Sequence, residues 1–408
     1  MSKISACRGC SSGNLQTVWA LEKSPYGDLF QQTRPLALNL PSHSLTLALC
    51  NTCSLLQITE ITDLEQQHDQ YLYNSKTTHG LGKFYSHTAN RLISDFSLIA
   101  EDLIVDIGSN DGSFLINFKK KGFQVLGIEP AEMSTKEARE HGIDTIQSYF
   151  DSNVVAQILD KHKYPKLISI NYTLANVPNV QSFLELISEL MDEDSILSII
   201  TGYHPDQFTV NMFDYVGHDH LSYFTVESIN LICESLDLKI LDVSRVEHKG
   251  GSIQILIAKT IFKQDSQPSV SQMLQREKWL GTRSTSFYQG LKSRIEEAVS
   301  LVKKNLESQE FDYLNGVGAS ISTTYFSNQF SIADKLSALF DDDVNKIGRF
   351  SPGSGIEVFP LNTLPSGEKH LTIILAWQHT EKLLNRLQEN NFRGRVLIPL
   401  PTPKIILI

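Results

Sequence analysis

The stretch that decides the fold is LIVDIGSNDGSFLINFKKKGFQVLGIEP, residues 103–130. It opens with the apolar run Leu103–Val105, which predicts a short buried strand before a glycine-containing turn. Residues 114–121 predict a helix that ends at a glycine and carries lysines in its last turn, as helix C-termini prefer. Residues 123–128 predict a second strand, which ends at Glu129. The stretch therefore reads as a strand, a helix and a strand, with glycines at the first turn and a carboxylate at the tip of the second strand.

This arrangement suits a nucleoside-containing ligand. Gly108 and Gly112 permit a close backbone approach that side chains would block, and the helix N-terminus offers N–H groups to a carboxylate or phosphate. Glu129 lies where an acidic side chain can accept hydrogen bonds from both ribose hydroxyls. Dinucleotide sites and S-adenosylmethionine (SAM) sites share this plan, and an ordinary tight turn is a third interpretation. The loop reads G-S-N-D-G rather than G-x-G-x-x-G, and it resembles the first motif of class I methyltransferases more closely.

The length and charge of the chain narrow the function classes. A chain of 408 residues predicts two or three domains, and a hydrophobic content of 41% is enough for their cores. The net charge is −10 and no basic run dominates, which argues against nucleic acid as a partner. No apolar stretch has the length of a membrane span, and the N-terminus does not resemble a signal peptide. We therefore expect a cytoplasmic protein without a membrane partner.

Four of the five cysteines form two C-x-x-C knuckles near the N-terminus, Cys7–Cys10 and Cys50–Cys53. In a reducing compartment this pairing favours a metal over disulfides, and four thiolates suit tetrahedral structural zinc. A redox C-x-x-C pair and four unrelated cysteines are the alternatives. Cys233 lies in an apolar run and is predicted to be a buried helix residue.

The middle of the chain continues the α/β pattern. Residues 167–170 predict a third parallel strand, and 195–201 the next one. Ligands bind at the carboxyl ends of such strands, so Asn171 and residues 202–204 are expected to face the site. The segment His218-Asp219-His220 follows among aromatic residues, and a histidine beside a carboxylate is a candidate general base. Part of a metal site and two surface histidines are the weaker alternatives.

The C-terminal part repeats the pattern. Residues 272–308 predict one long helical region, and residues 311–320 a strand followed by a glycine turn. Residues 371–377 and 396–399 predict further strands, with 396–399 the last. The recurring order predicts a second Rossmann-like unit, which either has a purely structural role or helps to hold the acceptor.

Several motifs together resemble the zinc-containing, SAM-dependent sugar C-methyltransferases of deoxysugar pathways, over nearly the whole chain. Besides the knuckles and I-G-S-N-D-G, these motifs are Y-x-Y-x-S at 71–75, G-I-E-P at 127–130, A-N-V-P at 175–178, H-D-H-L-S-Y-F at 218–224, G-G-S at 250–252, R-F-S-P-G from 349 and L-A-W at 375–377. The resemblance implies an α/β fold with a small zinc-binding N-terminal lobe, a class I SAM methyltransferase Rossmann-like domain and a second Rossmann-like α/β domain. We place these domains at residues 1–62, 63–262 and 263–408.

The resemblance also implies a mechanism and a set of site residues. Such enzymes act on nucleotide-linked keto-sugars: a base removes the proton beside the 4-keto group, and the enolate carbon takes the methyl group. The last histidine of the family's Y-H-E-H run is His220 here, with Asp219 in place of the usual glutamate. Candidate catalytic residues are His220, Asp219, His218, Tyr223 and Tyr73. Candidate SAM-binding residues are Asp106, Gly108, Asn110, Asp111, Gly112, Glu129, Pro130 and Asn171. Candidate substrate-binding residues are Tyr71, Tyr73, Ser75, His79, His248, Lys249, Gly251 and Arg349.

One position departs from that pattern. Gly217 stands where the family tends to carry a tyrosine whose phenol could stabilise the enolate, and Tyr215 or Tyr223 is the candidate to compensate. The departure leaves open which acceptor is used and which carbon is methylated. Two alternatives therefore stand beside the C-methyltransferase hypothesis: a SAM-dependent methyltransferase with an oxygen, nitrogen or non-sugar carbon acceptor, and a non-catalytic SAM- or nucleotide-binding partner protein. The oligomeric state is open, and a monomer is compatible with the sequence.

Overall fold

The computed structural model describes residues 2–61 and 80–408. The strands are β1 Leu15–Ser24, β2 His43–Cys50, β3 Leu56–Ile58, β4 Leu103–Ile107, β5 Gln124–Ile128, β6 Asp144–Ile146, β7 Leu167–Asn171, β8 Ile196–Gly202, β9 Ser222–Tyr223, β10 Leu238–Val246, β11 Ser252–Lys259, β12 Tyr313–Val317, β13 Leu336–Asp341, β14 Val358–Pro360, β15 His370–Ile374, β16 Arg395–Ile398 and β17 Lys404–Leu407. The α-helices are α1 Arg34–Leu38, α2 Leu81–Asp95, α3 Ile116–Lys119, α4 Glu132–Glu140, α5 Ser152–Lys161, α6 Val180–Leu190, α7 His204–Thr209, α8 Val226–Glu234, α9 Pro268–Leu280, α10 Thr285–Glu307, α11 Ile321–Gln329 and α12 Thr380–Glu389.

The N-terminal lobe is built on a four-stranded antiparallel sheet in the order β1-β2-β3-β9. β2 ends at Cys50 and β3 begins at Leu56, so the turn between these two strands carries the second cysteine knuckle. The fourth strand, β9, comes from far along the chain and follows directly after the H-D-H segment. The lobe is therefore joined by backbone pairing to the segment that holds the candidate base.

The middle domain contains a seven-stranded sheet in the order β10-β11-β8-β7-β4-β5-β6. β4 to β8 run parallel, and β11 pairs antiparallel with both β8 and β10. β4 lies between β5 and β7, so the strand order reverses there and a crevice opens at the carboxyl ends of these strands. This sheet confirms the predicted class I methyltransferase domain.

One strand of this sheet was missed by the sequence analysis. β6 contains only three residues, of which only the middle one is buried, so it shows no pattern that a sequence alone would reveal. Its presence makes Leu167–Asn171 the fourth parallel strand in chain order, and the prediction of a third strand at that point is wrong.

The C-terminal domain contains a six-stranded sheet in the order β14-β13-β12-β15-β16-β17, which confirms the second Rossmann-like unit. The predicted helical run is confirmed with one interruption, and the predicted last strand is wrong. The helical run 272–308 is two helices, α9 and α10, because Gly281 adopts φ +76° and ends the first one. Residues 395–398 are not the last strand, since β17 returns antiparallel along β16.

The hydrophobic cores do not follow the three sheets separately. One cluster combines strand residues of the N-terminal lobe, such as Leu47, with Phe213 and Val216 of the middle part and with the C-terminal sheet. Two other clusters cover the two faces of the seven-stranded sheet, and the cluster on one face includes Cys7, Cys50 and Cys53. The domain boundaries placed at residues 62 and 262 stay a prediction. Within the described ranges no helix is both long enough and apolar enough to cross a membrane.

Candidate active site

A cavity of about 580 Å³ opens at the carboxyl ends of β4, β5 and β7. Its volume lies in the range of small-molecule sites, and it occupies the crevice where α/β sheets bind ligands. Of the predicted site residues, those that line it are Asp106, Gly108, Asn110, Glu129, Pro130, Asn171 and Lys249. The structure therefore brings together most of the predicted SAM-binding residues in one cleft.

The glycine loop is held in the conformation that the sequence suggested. Gly108 adopts φ +73°, and its N–H and that of Ser109 donate to the carbonyl of Ile128 at 2.8 and 3.1 Å. A Cβ at position 108 would lie 2.2 Å from Oγ1 of Thr173, so only glycine fits between β4 and the end of β7. Gly112 also has a positive φ, +76°, but does not line the cavity.

Glu129 fixes the loop and presents its carboxylate to the cavity. Its Oε2 accepts the backbone N–H of Asn110 at 3.0 Å, and its Oε1 accepts that of Ala131 at 2.9 Å. Burial raises the pKa of Glu129, and the two N–H donors act in the opposite direction. A carboxylate held in this way can still accept hydrogen bonds from two ribose hydroxyls.

Asp106 and Asn171 form the polar floor between β4 and β7. Oδ1 of Asp106 accepts from Oγ of Ser169 at 2.6 Å and from Nδ2 of Asn171 at 3.0 Å. Burial raises the pKa of Asp106 to about 7. The Oδ1 atoms of Asn171 and Asn176, which both line the cavity, are buried and have no hydrogen-bond partner among the described residues. Buried acceptors of this kind point to donor groups on a bound ligand.

The candidate base His220 is not among the residues that line this cavity, but its neighbour is bonded to a segment that does. The next residue, Leu221, donates its N–H to the carbonyl of Ala175 at 2.7 Å, next to the cavity-lining Asn176. Nδ1 of His220 lies 3.1 Å from the carbonyl of Tyr215, which can only accept, so in the neutral imidazole Nδ1 carries the hydrogen and Nε2 keeps its lone pair. That Nε2 lies 3.7 Å from Oδ2 of Asp219.

Tyr215 is in direct contact with the candidate base. Its ring stacks on His220 with the centroids 4.3 Å apart. The ring lies over the end of β8, where Gly202 leaves space: a Cβ there would be 3.1 Å from Cε1 of Tyr215 and 3.4 Å from its hydroxyl oxygen. Of the two tyrosines suggested to compensate for Gly217, the geometry therefore favours Tyr215.

The other two candidate catalytic residues in the described part of the chain, His218 and Tyr223, are buried and hydrogen-bonded within the protein. His218 is fully buried, with Nε2 at 3.0 Å from the carbonyl of Ser44 and Nδ1 at 3.4 Å from the hydroxyl of Tyr325, and burial lowers its pKa. The hydroxyl of Tyr223 accepts the N–H of Gly217 at 3.1 Å, and burial raises its pKa. Both side chains have the contacts of positioning residues, so we carry only His220 and Asp219 forward as candidates for proton transfer.

Most of the remaining predicted site residues do not line the cavity, and four of them lie outside the part of the chain that the structure describes. Asp111 accepts the N–H of Ser113 at 3.0 Å within the turn. His248 packs on Phe84 with ring centroids 4.7 Å apart, and Gly251 accepts the N–H of Tyr203 through its carbonyl. Arg349 reaches the carbonyl of Phe30 at 3.4 Å, on the seam between the N-terminal lobe and the C-terminal domain. Lys249 does line the cavity, with its ammonium 4.1 Å from the ring centroid of Tyr172. The residues that lie outside the described part of the chain are Tyr71, Tyr73, Ser75 and His79.

Sequence analysis missed the apolar walls of the cavity. These include Tyr149 and Phe150 after β6, and Phe183 on α6. Aromatic side chains that follow a strand end could have been found if β6 had been recognised. Because it was not, the wall that follows it had no place in the predicted sheet.

The four cysteines of the knuckles form one cluster, and their sulfur atoms all lie within 4.8 Å of one another. Cys7 and Cys53 are 3.6 Å apart, as are Cys10 and Cys50. A tetrahedral zinc ion with Zn–S bonds of about 2.3 Å separates its sulfurs by about 3.8 Å, so the donor set and spacing fit this metal. Hydrogen bonding from Cys53 lowers the pKa of Cys7 to about 5, whereas burial raises that of Cys10 to about 11.

The zinc cluster also supports one wall of the cavity. The carbonyl of Arg8, within the first knuckle, accepts the N–H of Val180 at 2.9 Å. The Arg8 guanidinium donates to the carbonyls of Pro178 and Glu60 at 3.0 and 2.9 Å. Pro178 lines the cavity, so the metal lobe holds the loop between β7 and α6 in place.

Comparisons with known proteins agree with this architecture. Three family models match consecutive parts of the chain: a "Putative zinc binding domain" over residues 7–67, a "Methyltransferase domain" over 81–243 and a "C-methyltransferase C-terminal domain" over 247–401. The C-methyltransferase NovU of Streptomyces niveus is 23% identical over 407 residues, which cover 99% of this chain and 97% of that protein.

Among solved structures, the chain is similar to a SAM-dependent methyltransferase from Archaeoglobus fulgidus, with 19% identity and a TM-score of 0.36 over 44% of this chain and 94% of that one. It is also similar to the magnesium protoporphyrin IX methyltransferase from Synechocystis PCC 6803 with bound SAM, with 14% identity and a TM-score of 0.33 over 44% of this chain and 79% of that one. The three consecutive family matches, the end-to-end relative and the four-cysteine cluster decide the assignment: the chain belongs to the SAM-dependent C-methyltransferases with an N-terminal zinc-binding domain.

Proposed function

We propose that the protein methylates the carbon next to the keto group of a nucleotide-linked 4-keto-deoxysugar, with His220 as the general base. The observation that carries this proposal is the hydrogen bonding of His220, whose neighbour Leu221 is bonded to Ala175 next to the cavity-lining Asn176. Its Nδ1–H is committed to the carbonyl of Tyr215, and its Nε2 lone pair is available to take a proton. SAM, when bound, supplies the methyl group.

The chemistry of methyl transfer to carbon narrows the acceptor. A carbon must first gain a lone pair, and a histidine can remove a proton from carbon only if a neighbouring carbonyl spreads the resulting charge. Nε2 of His220 takes that proton, the C–H electron pair becomes the enolate, and Oδ2 of Asp219, 3.7 Å away, stabilises the imidazolium. The phenol of Tyr215, whose ring stacks on His220, is our candidate donor for the enolate oxygen.

Two buried oxygens of the cavity wall support a ligand that is rich in donors. Oδ1 of Asn171 and Oδ1 of Asn176 have no hydrogen-bond partner in the described part of the chain. Sugar hydroxyls and the ammonium group of SAM are donors of the required kind. The sugar class itself rests on the motif resemblance set out above. A cytoplasmic location, where the zinc thiolates stay reduced, belongs to the same proposal.

The test uses methyl-labelled SAM and a panel of dTDP-, GDP- and CDP-linked 4-keto-6-deoxyhexoses, with NMR to locate the label. We expect the label on the carbon beside the keto group. In D2O without SAM, the same substrate should exchange that hydrogen, and His220→Asn should abolish exchange and methylation while the affinity for SAM is kept.

His141→Asn is the matched control, since His141 is exposed at the end of α4. Label on oxygen or nitrogen without exchange at carbon would overturn the enolate mechanism and favour another acceptor. SAM binding without transfer to any sugar nucleotide of the panel would count against the proposal as a whole. Full exchange by His220→Asn would remove His220 from the role of base.

A further inference from the structure

The carboxyl-end edge of the C-terminal sheet is packed against protein rather than open like that of the middle domain. Ligands of open α/β sheets bind at this edge. Here Gly318, with φ +107°, follows β12, and a Cβ there would lie 2.6 Å from the Cβ of Ala376. Asp341, at the end of β13, uses Oδ2 to accept the N–H of Ala319 at 2.6 Å. The glycine turn of this domain is therefore filled by the domain's own residues.

The same edge contacts residues 213–218, the segment that precedes the candidate base His220. The carboxylate of Asp214 is buried and accepts Nε1–H of Trp377 at 2.9 Å and Nε2–H of Gln378 at 2.9 Å. Both donors directly follow β15. Phe213 packs on Phe326 of α11, with ring centroids 6.0 Å apart.

Tyr325 on α11 makes a second set of contacts with this segment. Its hydroxyl accepts the backbone N–H of His218 at 3.0 Å and that of Gly27, in the N-terminal lobe, at 3.3 Å, and lies 3.4 Å from Nδ1 of His218. Its ring fits between two glycines, since a Cβ would lie 2.6 Å from Cε2 at Gly217 and 2.8 Å from Cε2 at Gly27. One buried phenol thus contacts all three parts of the chain.

These two sets of contacts lie next to the residues that hydrogen-bond to His220 and stack on it. Asp214 precedes Tyr215, whose carbonyl receives Nδ1–H of His220 and whose ring stacks on the imidazole. His218 lies two residues before His220. Both anchors therefore hold the backbone next to Tyr215, whose carbonyl faces Nδ1 of His220.

We propose that the C-terminal domain acts as a clamp, in the sense that it holds residues 213–220, the catalytic segment, in place. Tyr325 and Trp377 are then positioning residues for His220. This inference rests on the proposed function for the role of His220 as base. It assigns the second Rossmann-like unit a task in catalysis through contacts with residues 213–218, at the edge where a sheet of this type would otherwise hold a ligand.

The experiment compares Tyr325→Phe and Trp377→Phe with Tyr313→Phe, a control at a half-exposed residue on β12 that stacks on His370. The first readout needs no acceptor: ¹⁵N NMR of histidine-labelled protein, with the His220 signals assigned from His220→Asn. We expect the Nδ1–H tautomer in the parent and control, and a mixture of tautomers in Tyr325→Phe and Trp377→Phe. SAM affinity by calorimetry should change less than twofold.

The second readout is turnover on the acceptor found by the labelling assay. We expect kcat to fall at least tenfold in both clamp variants, with a shifted pH profile and little change in KM for SAM. A pure tautomer and parental kcat in both variants would overturn the clamp even if methylation is established. If no sugar nucleotide is methylated, the NMR readout still decides the clamp, whereas the proposed function has failed on its own test.

Discussion

Moving the phenol of Tyr325 to position 217 tests the packing of the catalytic segment directly. Gly217 has no positive φ, so its backbone accepts a side chain, and the atoms nearest to its Cβ position belong to Tyr325, at 2.6 Å, and to Oδ1 of Asp219, at 2.7 Å. Gly217→Tyr alone forces overpacking that costs about 1–3 kcal/mol of unfolding free energy. Tyr325→Ala alone removes a buried ring and costs about 3–5 kcal/mol.

If the two sites were independent, the double variant would lose about 4–8 kcal/mol, the sum of these costs. Because the new ring enters the space that the old one leaves, we expect the double variant to be more stable than that sum by at least about 1 kcal/mol. Urea unfolding followed by tryptophan fluorescence measures all four proteins. A double variant whose loss equals the sum within about 0.5 kcal/mol would refute the shared space.

Three further predictions follow from single contacts. Glu129→Gln keeps the shape of the side chain but loses the charge that accepts hydrogen bonds from the ribose hydroxyls. The affinity for SAM, measured by calorimetry, should therefore fall about 10- to 30-fold, at about 1 kcal/mol per weakened bond. The control Glu132→Gln, at an exposed neighbour, should leave the affinity unchanged, and equal effects of the two variants would contradict the assignment. Burial raises the pKa of Asp214 from 3.8 to about 7, so its contribution to stability is full below about pH 4 and is lost as the pH rises through about 7. The stability advantage of the parent over Asp214→Asn should therefore shrink by about 2 kcal/mol from pH 5.5 to 7, at about 1.4 kcal/mol per unit, and a constant difference in urea unfolding would contradict this. Removal of zinc by a chelator should lower the melting temperature and also weaken SAM binding. The reason is that Arg8 connects the first knuckle to the cavity wall at Pro178 and Val180. An unchanged Kd for SAM in metal-free folded protein would refute that coupling.

The SAM half of the site could be predicted from local sequence. Gly108, Asn110 and Glu129 lie within one strand–turn–helix–strand stretch, and the positive φ at 108 and the carboxylate at a strand tip follow from residue type and order. The four cysteines were equally readable, because two C-x-x-C knuckles need only come together to make a metal site. The strand β6 was not readable, since three residues of which only the middle one is buried carry no periodicity, and the aromatic wall that follows this strand was therefore missed too.

The catalytic half depended on contacts between distant parts of the chain. The family resemblance had singled out His220 as the candidate base, and the contacts add a reason to prefer it: His218 is buried against Ser44 and Tyr325, whereas Nδ1 of His220 faces the carbonyl of Tyr215.

By itself the sequence determined the two Rossmann-like units, the zinc ligands and the SAM-binding loop, because each is encoded by residues close together in the chain. Only the tertiary structure showed how His218 and His220 differ in their surroundings, what occupies the space beside Gly217, and what the C-terminal domain contacts. Tyr325 lies more than a hundred residues from Gly217, and Trp377 lies farther still from Asp214. No local pattern encodes such contacts, since burial and hydrogen bonding between distant segments arise only when the three sheets pack together.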